Sequence, residues 1–291
     1  MSWRTIVISN RCKLDYKMGY MEIRGEDTKR VFLDEIALVI IENTAVSLTC
    51  CLLEALVKAK IRVVFCDGKA MPNAELVPYY GSHDCSKKIR LQSSWNDTIK
   101  SIIWSDIVAE KIKKQADFLF EIGKIKESKL LSEYINQIEI NDATNREGHA
   151  AKVYFNGVFG MQFTRSDENA INAALNYGYS IILAAFNREV VSNGYLTQIG
   201  LFHDNVFNHY NLSCDLMEPF RIIIDRKVYE SLPFSSLDTR LKRVLIDLLN
   251  KTVFINQTKQ TVLNAIKLYT RSIFDALSNM DPSLICYYDI I

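Results

Sequence analysis

Residues 71–84 read M-P-N-A-E-L-V-P-Y-Y-G-S-H-D, and this stretch separates two parts of the chain with different character. Pro72, Pro78 and Gly81 make it the clearest concentration of chain-breaking residues in the sequence. Proline removes a backbone donor and glycine tolerates unusual backbone angles, so regular structure is expected to be interrupted here. We therefore predict a linker over residues 76–94, between a first domain at 1–75 and a second at 95–291.

On the N-terminal side, the sequence predicts strands and one helix. Residues 5–9 and 62–67 are short runs rich in β-branched side chains, and residues 12–24 alternate apolar and polar types across a central glycine. Such alternation is typical of a hairpin. Residues 30–42 predict one or two buried strands, whereas leucines at helical spacing within 48–60 predict a helix. A small, β-rich, sandwich-like domain with one packed helix is expected.

Beyond the linker, helical periodicity dominates and strand patterns are scarce. The predicted helical segments are residues 95–123, 128–140, 144–159, 168–193, 213–231 and 237–280. We therefore predict an α+β protein, in which a small N-terminal β-rich domain is followed by a larger all-α C-terminal domain.

Composition narrows the class of protein. The apolar fraction of 48% is ordinary for a soluble globular chain, and no apolar run is long enough to span a membrane. The seven cysteines form no C-x-x-C pair, and Cys50, Cys51 and Cys66 lie in apolar runs. This usage predicts reduced, buried cysteines in a cytoplasmic protein. P-loop, dinucleotide-binding and nucleophile-elbow motifs are absent from the sequence, so no organic cofactor is expected.

Charge is distributed unevenly along the chain. Residues 141–220 carry 4 basic and 8 acidic side chains, whereas residues 221–271 carry 10 basic and 4 acidic ones. An acidic segment followed by a basic one suits a metal site beside a phosphate-binding surface. Solvated helix faces give the same pattern, and charge alone does not choose between the two interpretations.

The most concentrated set of metal-binding side chains lies in residues 200–225, G-L-F-H-D-N-V-F-N-H-Y-N-L-S-C-D-L-M-E-P-F-R-I-I-I-D. Asp215 and Glu218 share one helix face, and His203 follows a glycine in a predicted loop. Two carboxylates and an imidazole suit a hard divalent cation. Equally, Ser213 could cap a helix whose first turn carries both acids. The residues themselves leave both interpretations open.

Glu147 has two interpretations as well. Thr144-x-x-Glu147 precedes an apolar-periodic run and matches a capping box, which by spacing alone is favoured over a ligand role. His149 lies on a different helix face. His209 is six residues from His203, a spacing that excludes the zinc-type H-x-x-x-H pair. His149 and His209 are therefore interpreted as bystanders.

Taken together, several segments resemble the CRISPR-associated integrase that inserts new spacers, the universal first protein of those immune systems, in its type II branch. The likeness extends over nearly the whole chain. The matching segments are M-S-W-R-T-I-V-I-S-N-R-C-K-L-D-Y-K-M-G-Y-M (1–21), I-I-E-N-T-A-V-S-L-T (40–49), L-V-P-Y-Y-G-S-H-D (76–84), N-R-E-G-H-A-A-K-V-Y-F (145–155), N-A-A-L-N-Y-G-Y-S-I-I (172–182), G-L-F-H (200–203) and S-C-D-L-M-E-P-F-R-I-I-I-D (213–225).

The resemblance implies which residues form the site. The family's metal ligands fall on Glu147, His203 and Glu218, and Asp215 matches a supporting acid; the implied ion is Mg²⁺ or Mn²⁺. The family also implies an N-terminal dimerisation domain, a helical catalytic domain and a homodimer. Such dimers assemble around a dimer of the second CRISPR-associated protein and bind double-stranded spacer and repeat DNA, with other type II adaptation proteins as further partners.

The implied reaction is attack by a DNA 3′-hydroxyl on a phosphodiester at a repeat boundary. The basic segment beginning at Arg221 would follow phosphates. Two alternatives stay open at this stage, a stand-alone metal-dependent nuclease for DNA or RNA and a non-catalytic, dimeric DNA-binding scaffold.

Overall fold

The computed structural model describes residues 4–79 and 82–290, so Gly81 of the chain-breaking stretch lies outside the described residues. The chain divides into two compact units. The first comprises residues up to Cys85 together with Val191–Gly194, and the second comprises Ser86–Val190 and Tyr195–Ile291. The segment predicted as a linker contains a nine-residue helix, Cys85–Ser93. In the described part of the chain, no helix combines the length and the apolarity needed to cross a membrane.

The first unit contains eight strands and one helix among its described residues. They are β1 (Arg4–Ile8), β2 (Lys13–Lys17), β3 (Tyr20–Arg24), β4 (Thr28–Phe32), β5 (Ile36–Ile41), β6 (Ser47–Leu48), α1 (Cys50–Lys58), β7 (Arg62–Cys66) and β8 (Pro72–Leu76).

These strands form two four-stranded sheets, in the orders β1-β5-β7-β8 and β4-β3-β2-β6. The predicted hairpin is confirmed, because β2 pairs antiparallel with β3 and Gly19 takes a positive φ of 86° in the turn. β5 is buried at all six positions and pairs in parallel with β1 and β7. A continuous apolar run is what such a central strand requires. One apolar core includes residues of both sheets and of α1, which confirms the β-rich character of the N-terminal region.

The predicted burial of the cysteines is contradicted most clearly at two positions, and four of the others are only partly buried. Helix α1 buries Leu52 and Leu56, which lie one turn apart on its inner face. Cys50 and Cys51 precede this face and are exposed, so their predicted burial is wrong, whereas Cys66 is buried. All seven cysteines are free.

After the first unit the chain is predominantly helical, as predicted. The helices are α2 (Cys85–Ser93), α3 (Asp97–Glu121), α4 (Ile125–Ile135), α5 (Arg146–Phe159), α6 (Ala170–Ser192), α7 (Asn211–Met217), α8 (Arg221–Glu230), α9 (Thr239–Asp247) and α10 (Val262–Asn279).

The prediction of an all-α second domain is wrong. Strands β9 (Thr252–Ile255), β10 (Thr258–Thr261) and β11 (Tyr288–Ile290) form an antiparallel sheet in the order β10-β9-β11. The sequence T-V-F-I of β9 is β-branched and aromatic, which favours a strand over a helix. Asn256 and Gln257 then form a two-residue turn with φ values of 50° and 59°. The single helix predicted over residues 237–280 is therefore interrupted.

Helix α3 is the element that organises the second unit. Asn96 caps it, because its side chain accepts hydrogen bonds from the amides of Thr98 and Ile99. Its buried stripe packs against α4, α5, α7, α8 and α10. Most residues of this stripe are apolar, but Lys111 and Lys114 also lie in it and are buried. A cation inside an apolar stripe needs a charged or polar partner.

Candidate active site

Asp215 on α7 organises the loop that precedes its helix. Its buried carboxylate accepts backbone N–H bonds from Leu201 at 2.6 Å, Phe202 at 3.1 Å and His203 at 3.3 Å. Helix α7 begins at Asn211. The interpretation of Asp215 as a first-turn acid capped by Ser213 is therefore wrong, since its carboxylate binds the amides of the loop and not those of its own helix.

Gly200 permits the close contact between this loop and α7. A Cβ built at Gly200 would lie 2.7 Å from Oδ2 of Asp215, and it would also meet the carbonyl oxygen of His203. Real Cβ atoms do not approach other atoms this closely, and a carboxylate held by three amides has little freedom to move. Glycine is required at this position so that Asp215 can reach the loop.

His203 is held on two sides. Its Nδ1 lies 2.5 Å from Oδ1 of Asp215, and its ring meets the indole of Trp104 edge-on at 5.6 Å between centroids. The hydrogen bond with Asp215 raises the pKa of His203 above its ordinary value. Because Nδ1 is engaged, Nε2 is the ring nitrogen left for a ligand or a proton.

Glu218 lies in a 3₁₀ turn, Glu218–Phe220, between α7 and α8. Both of its carboxylate oxygens have cationic partners. Oε1 accepts a hydrogen bond from Nε of Arg221 at 2.9 Å and forms an ion pair with Nη2 at the same distance. Oε2 lies 2.5 Å from Nζ of Lys111. Burial alone would raise the pKa of Glu218, but Arg221 and Lys111 outweigh it and lower the pKa to about 2. Glu218 is therefore ionised at neutral pH.

Glu147 lies in the first turn of α5 and does not cap it. Asn145 is the N-cap, accepting from the amide of Gly148 at 3.2 Å, and the carboxylate of Asp142 accepts from the amides of Arg146 and Glu147. The predicted capping box is therefore wrong. Because other side chains bind these amides, the Glu147 carboxylate extends to Lys111, with Oε1 at 2.5 Å from Nζ.

The predicted ligands, which are distant in sequence, converge in space. Glu147 and Glu218 contact the same ammonium at 2.5 Å each, so their oxygens lie within twice that distance of one another. Both carboxylates are also close enough to His203 to contribute to its raised pKa. With Asp215 behind His203, all four predicted site residues lie together. His149 and His209, which were predicted to be bystanders, have other ring contacts: His149 lies against Tyr134 and His209 against Tyr210.

Arg221 and Lys111 complete the cluster around Glu147, His203, Asp215 and Glu218, and both differ from expectation. Arg221, predicted to begin a DNA-binding surface, binds Glu218 instead and lies 4.6 Å above the ring of Tyr179. Lys111 was not predicted at all. Lys111 follows Val108 by three residues and Ile107 by four, and this helical spacing places it on the same apolar stripe of α3. A lysine at such a position is unusual and is the one feature of the sequence that indicates a buried partner. Nothing local in the sequence identifies its partners.

The donor chemistry of this cluster fits a hard divalent cation. Within residues 4–79 and 82–290, no three histidine, cysteine, aspartate or glutamate side chains are placed so that they already enclose an ion. The two carboxylates nevertheless converge on a cation, the ammonium of Lys111, beside an imidazole whose Nδ1 is fixed by a carboxylate. Glu147, Glu218 and His203 together supply the oxygen and nitrogen donors that Mg²⁺ and Mn²⁺ accept.

Comparison with known proteins gives the family. A family model described as CRISPR associated protein Cas1 matches residues 5–240 of the chain. The chain belongs to the Cas1 family. The CRISPR-associated endonuclease Cas1 of Neisseria meningitidis serogroup C (strain 8013) is 34% identical over 271 residues, which cover 91% of this chain and 89% of that relative. The resemblance to the type II branch agrees with this match.

Solved structures share the Cas1 fold at lower identity. A casposase bound to an integration product matches with a TM-score of 0.77 at 18% identity, covering 97% of this chain and 92% of that one. A Cas6-RT-Cas1–Cas2 complex matches with a TM-score of 0.75 at 17% identity over 97% of this chain. There the chain spans only 36% of the matched polypeptide. These two likenesses concern the fold alone.

Proposed function

We propose that this Cas1 family member is a metal-dependent DNA integrase and endonuclease that inserts DNA fragments as new spacers into a CRISPR array. The reaction is attack by a DNA 3′-hydroxyl on a phosphodiester at a repeat boundary, which releases the former 3′-oxygen. Phosphodiester bonds are exchanged one for one, so no external energy source is needed. Water in place of the hydroxyl gives hydrolysis at the same site.

One observation carries the proposal. Glu147, His203 and Glu218 come from three separate segments, yet the two carboxylates share one ammonium and both raise the pKa of His203. These are the positions at which the sequence resembles the family's metal ligands. A purely structural helix face would not bring an imidazole and two carboxylates from distant segments to one cation.

Each residue then has a definite role. Glu147, Glu218 and Nε2 of His203 would hold Mg²⁺ or Mn²⁺, which when bound supplies Lewis-acid activation of the attacking hydroxyl and neutralises charge on the phosphate. Asp215 fixes Nδ1 of His203 and the loop that carries it, so it orients the imidazole. Arg221 keeps Glu218 ionised and in place. Since a ligand histidine must be neutral, a metal ion and a proton would compete for Nε2 of His203.

The DNA and protein partners belong to the same proposal. Within the basic segment 221–271, ion pairs join Arg221 to Glu218, Arg226 to Glu121 and Lys227 to Glu230. The exposed cations of that segment are Arg240, Arg243, Lys251, Lys259 and Arg271. We assign phosphate contacts to this exposed set, which gives affinity without reading bases.

We infer further that the chain forms a homodimer through its N-terminal domain, as the family resemblance implies. The match to a Cas6-RT-Cas1–Cas2 complex supports Cas2 as a partner, which the family resemblance implies to be a dimer. Other type II adaptation proteins and a cytoplasmic location complete the proposal.

The deciding experiment supplies a double-stranded donor with free 3′ ends, a supercoiled target carrying the repeat, the Cas2 partner and Mg²⁺ or Mn²⁺. Donor–target junctions, detected by sequencing, are the expected product. E147A, H203A and E218A are each expected to abolish them, whereas H149A and H209A are the matched histidine controls and retain them. Fragments without junctions would support the stand-alone nuclease. Full strand transfer by all three alanine variants would overturn the metal-site assignment.

A further inference from the structure

Lys111 is the only member of the described cluster that touches both predicted metal-binding carboxylates. Its side chain is 10% exposed, and those of Glu147 and Glu218 are 22% and 5% exposed. The ammonium is thus removed from solvent and lies at 2.5 Å from one oxygen of each carboxylate. A buried lysine of this kind needs its anions, and the anions need a cation.

Both oxygens of Glu218 are already occupied, which restricts how a divalent cation can bind there. Oε1 is bound by Nε and Nη2 of Arg221, and Oε2 is bound by Lys111. The carboxylates of Glu147 and Glu218 are already matched by two basic groups, Lys111 and Arg221, while the third carboxylate, that of Asp215, is bound to His203. A divalent ion on the same carboxylates therefore adds two uncompensated positive charges next to a fixed ammonium, in a site where water screens little.

Of the two basic groups, Lys111 is the one placed to yield. Arg221 donates a hydrogen bond from Nε to Oε1, forms an ion pair with the same oxygen through Nη2 and stacks on Tyr179, so its guanidinium is held by several contacts. Lys111 is bound as a point charge on a flexible stem, and its two anions are the same two groups that the ion requires.

We propose that Lys111 is a built-in counter-ion of the metal site, which a divalent cation must displace from Glu147 or Glu218 in order to bind. The lysine holds the two carboxylates together before loading, and it weakens metal affinity by competing for the same oxygens. This inference rests on the proposed function, because it takes Glu147 and Glu218 as ligands. Lys111 is a positioning residue, and its removal affects binding before any chemistry occurs.

The test measures Mn²⁺ binding to the protein in the absence of DNA, with free Mn²⁺ quantified from its electron paramagnetic resonance signal. Thermal unfolding is measured separately, in the presence of chelator and of Mn²⁺. Substituting Lys111→Met removes the competing charge at similar volume. We expect roughly tenfold tighter Mn²⁺ binding, a lower melting temperature in chelator and a larger stabilisation by Mn²⁺ than in the wild type. Lys113→Met is the matched control, since Lys113 is an exposed residue of the same helix that pairs with Glu110. It should leave all three quantities unchanged.

A second variant covers the case in which Lys111→Met does not fold. Lys111→Gln keeps a hydrogen-bond donor for the carboxylates without the charge, and it is expected to bind Mn²⁺ more tightly as well. If the wild type binds Mn²⁺ and the folded Lys111 variants bind it no more tightly, the counter-ion inference is overturned. The metal site itself is then upheld by the wild-type binding. Absence of Mn²⁺ binding in the wild type and in the folded Lys111 variants alike overturns the proposed metal site together with the inference.

Discussion

The carboxylate of Asp215 binds His203 twice, through Nδ1 of the imidazole at 2.5 Å and through the backbone N–H at 3.3 Å. The same carboxylate also accepts the amides of Leu201 and Phe202. One buried acid therefore sets the ring orientation of His203 and the path of the loop that carries it. Asp215 on α7 therefore controls the geometry of the predicted ligand His203.

Substituting Asp215→Asn is expected to separate these two tasks. An asparagine oxygen can still accept from Nδ1, but its NH₂ group would then face the N–H groups of Leu201 and Phe202, which leaves donors unpaired. We expect a loss of about 1–3 kcal/mol in the free energy of unfolding. Strand transfer should fall roughly 10- to 100-fold, as is typical when the partner of a ligand histidine is removed.

The decisive readout for Asp215→Asn is the NMR titration of the His203 ring, with the remaining histidines as internal references. Because the hydrogen bond with Asp215 raises the pKa of His203, that pKa should fall toward its ordinary value in the variant. A variant that loses stability while the His203 titration stays where it was would show that Asp215 supports the loop only.

Glu147 and Asn145 offer a second test, since they lie two residues apart at the start of α5 and have different tasks. Asn145 caps the helix and Glu147 binds Lys111. Glu147→Gln should reduce activity on the order of 100-fold or more, because an amide is a poor metal ligand, with little effect on helix stability. Asn145→Ala should cost about 1–2 kcal/mol of stability through the lost cap and the left-handed backbone, and retain activity.

Both variants are measured by urea unfolding and by the junction assay. Glutamine is accepted in a capping box as readily as glutamate, so a purely capping Glu147 would tolerate the Gln substitution in both assays. Full activity of Glu147→Gln would contradict the ligand role.

The sequence was sufficient for elements defined by local periodicity. The β2–β3 hairpin follows from strict alternation around Gly19, and α3 follows from a long apolar stripe. The β9–β10 hairpin was missed because its strands are four residues long and lie between two helices. Its turn, Asn256-Gln257, is not one of the glycine-containing pairs that mark hairpins.

The candidate site shows a different limit of sequence reasoning. Thr144-x-x-Glu147 has the spacing of a capping box, but Asp142 and Asn145 bind the helix amides, and spacing cannot rank several polar residues within one turn. Lys111 lies 36 residues from Glu147 and 107 from Glu218, so only the packed helices reveal their contact. The proposed ligand set rests on the family resemblance, whereas nothing local in the sequence indicates that Lys111 contacts these carboxylates.

Gly200 provides a test of the loop packing. Gly200→Ala introduces a Cβ at 2.7 Å from Oδ2 of Asp215, where neither atom can move without breaking the amide contacts of the loop. We expect a destabilisation of about 1–3 kcal/mol, measured by urea unfolding, and a matching loss of strand transfer. Gly68→Ala is the control, since a Cβ at Gly68 meets no atom within 4 Å. Equal effects at the two glycines would contradict the packing argument.

Asp225 on α8 predicts how stability depends on pH. It is buried and accepts a hydrogen bond from the hydroxyl of Tyr179. Burial raises its pKa from 3.8 to about 6, even though the bond from Tyr179 acts in the opposite direction. The folded protein therefore binds this proton more tightly than the unfolded chain does. The contribution of protonated Asp225 to the free energy of unfolding is fully present below about pH 4 and is lost as the pH rises through about 6.

Asp225→Asn removes this titration while keeping an oxygen that accepts from Tyr179. The free energy of unfolding of the variant, relative to wild type, should therefore increase by about 2–3 kcal/mol between pH 4 and pH 7. Urea unfolding at intervals across that range measures the difference, in which all other titrating groups cancel. Tyr179→Phe removes the bond that lowers the pKa of Asp225, so the loss should extend to higher pH than in wild type. A difference between Asp225→Asn and wild type that is flat with pH would show that Asp225 is ionised throughout and that burial does not control it.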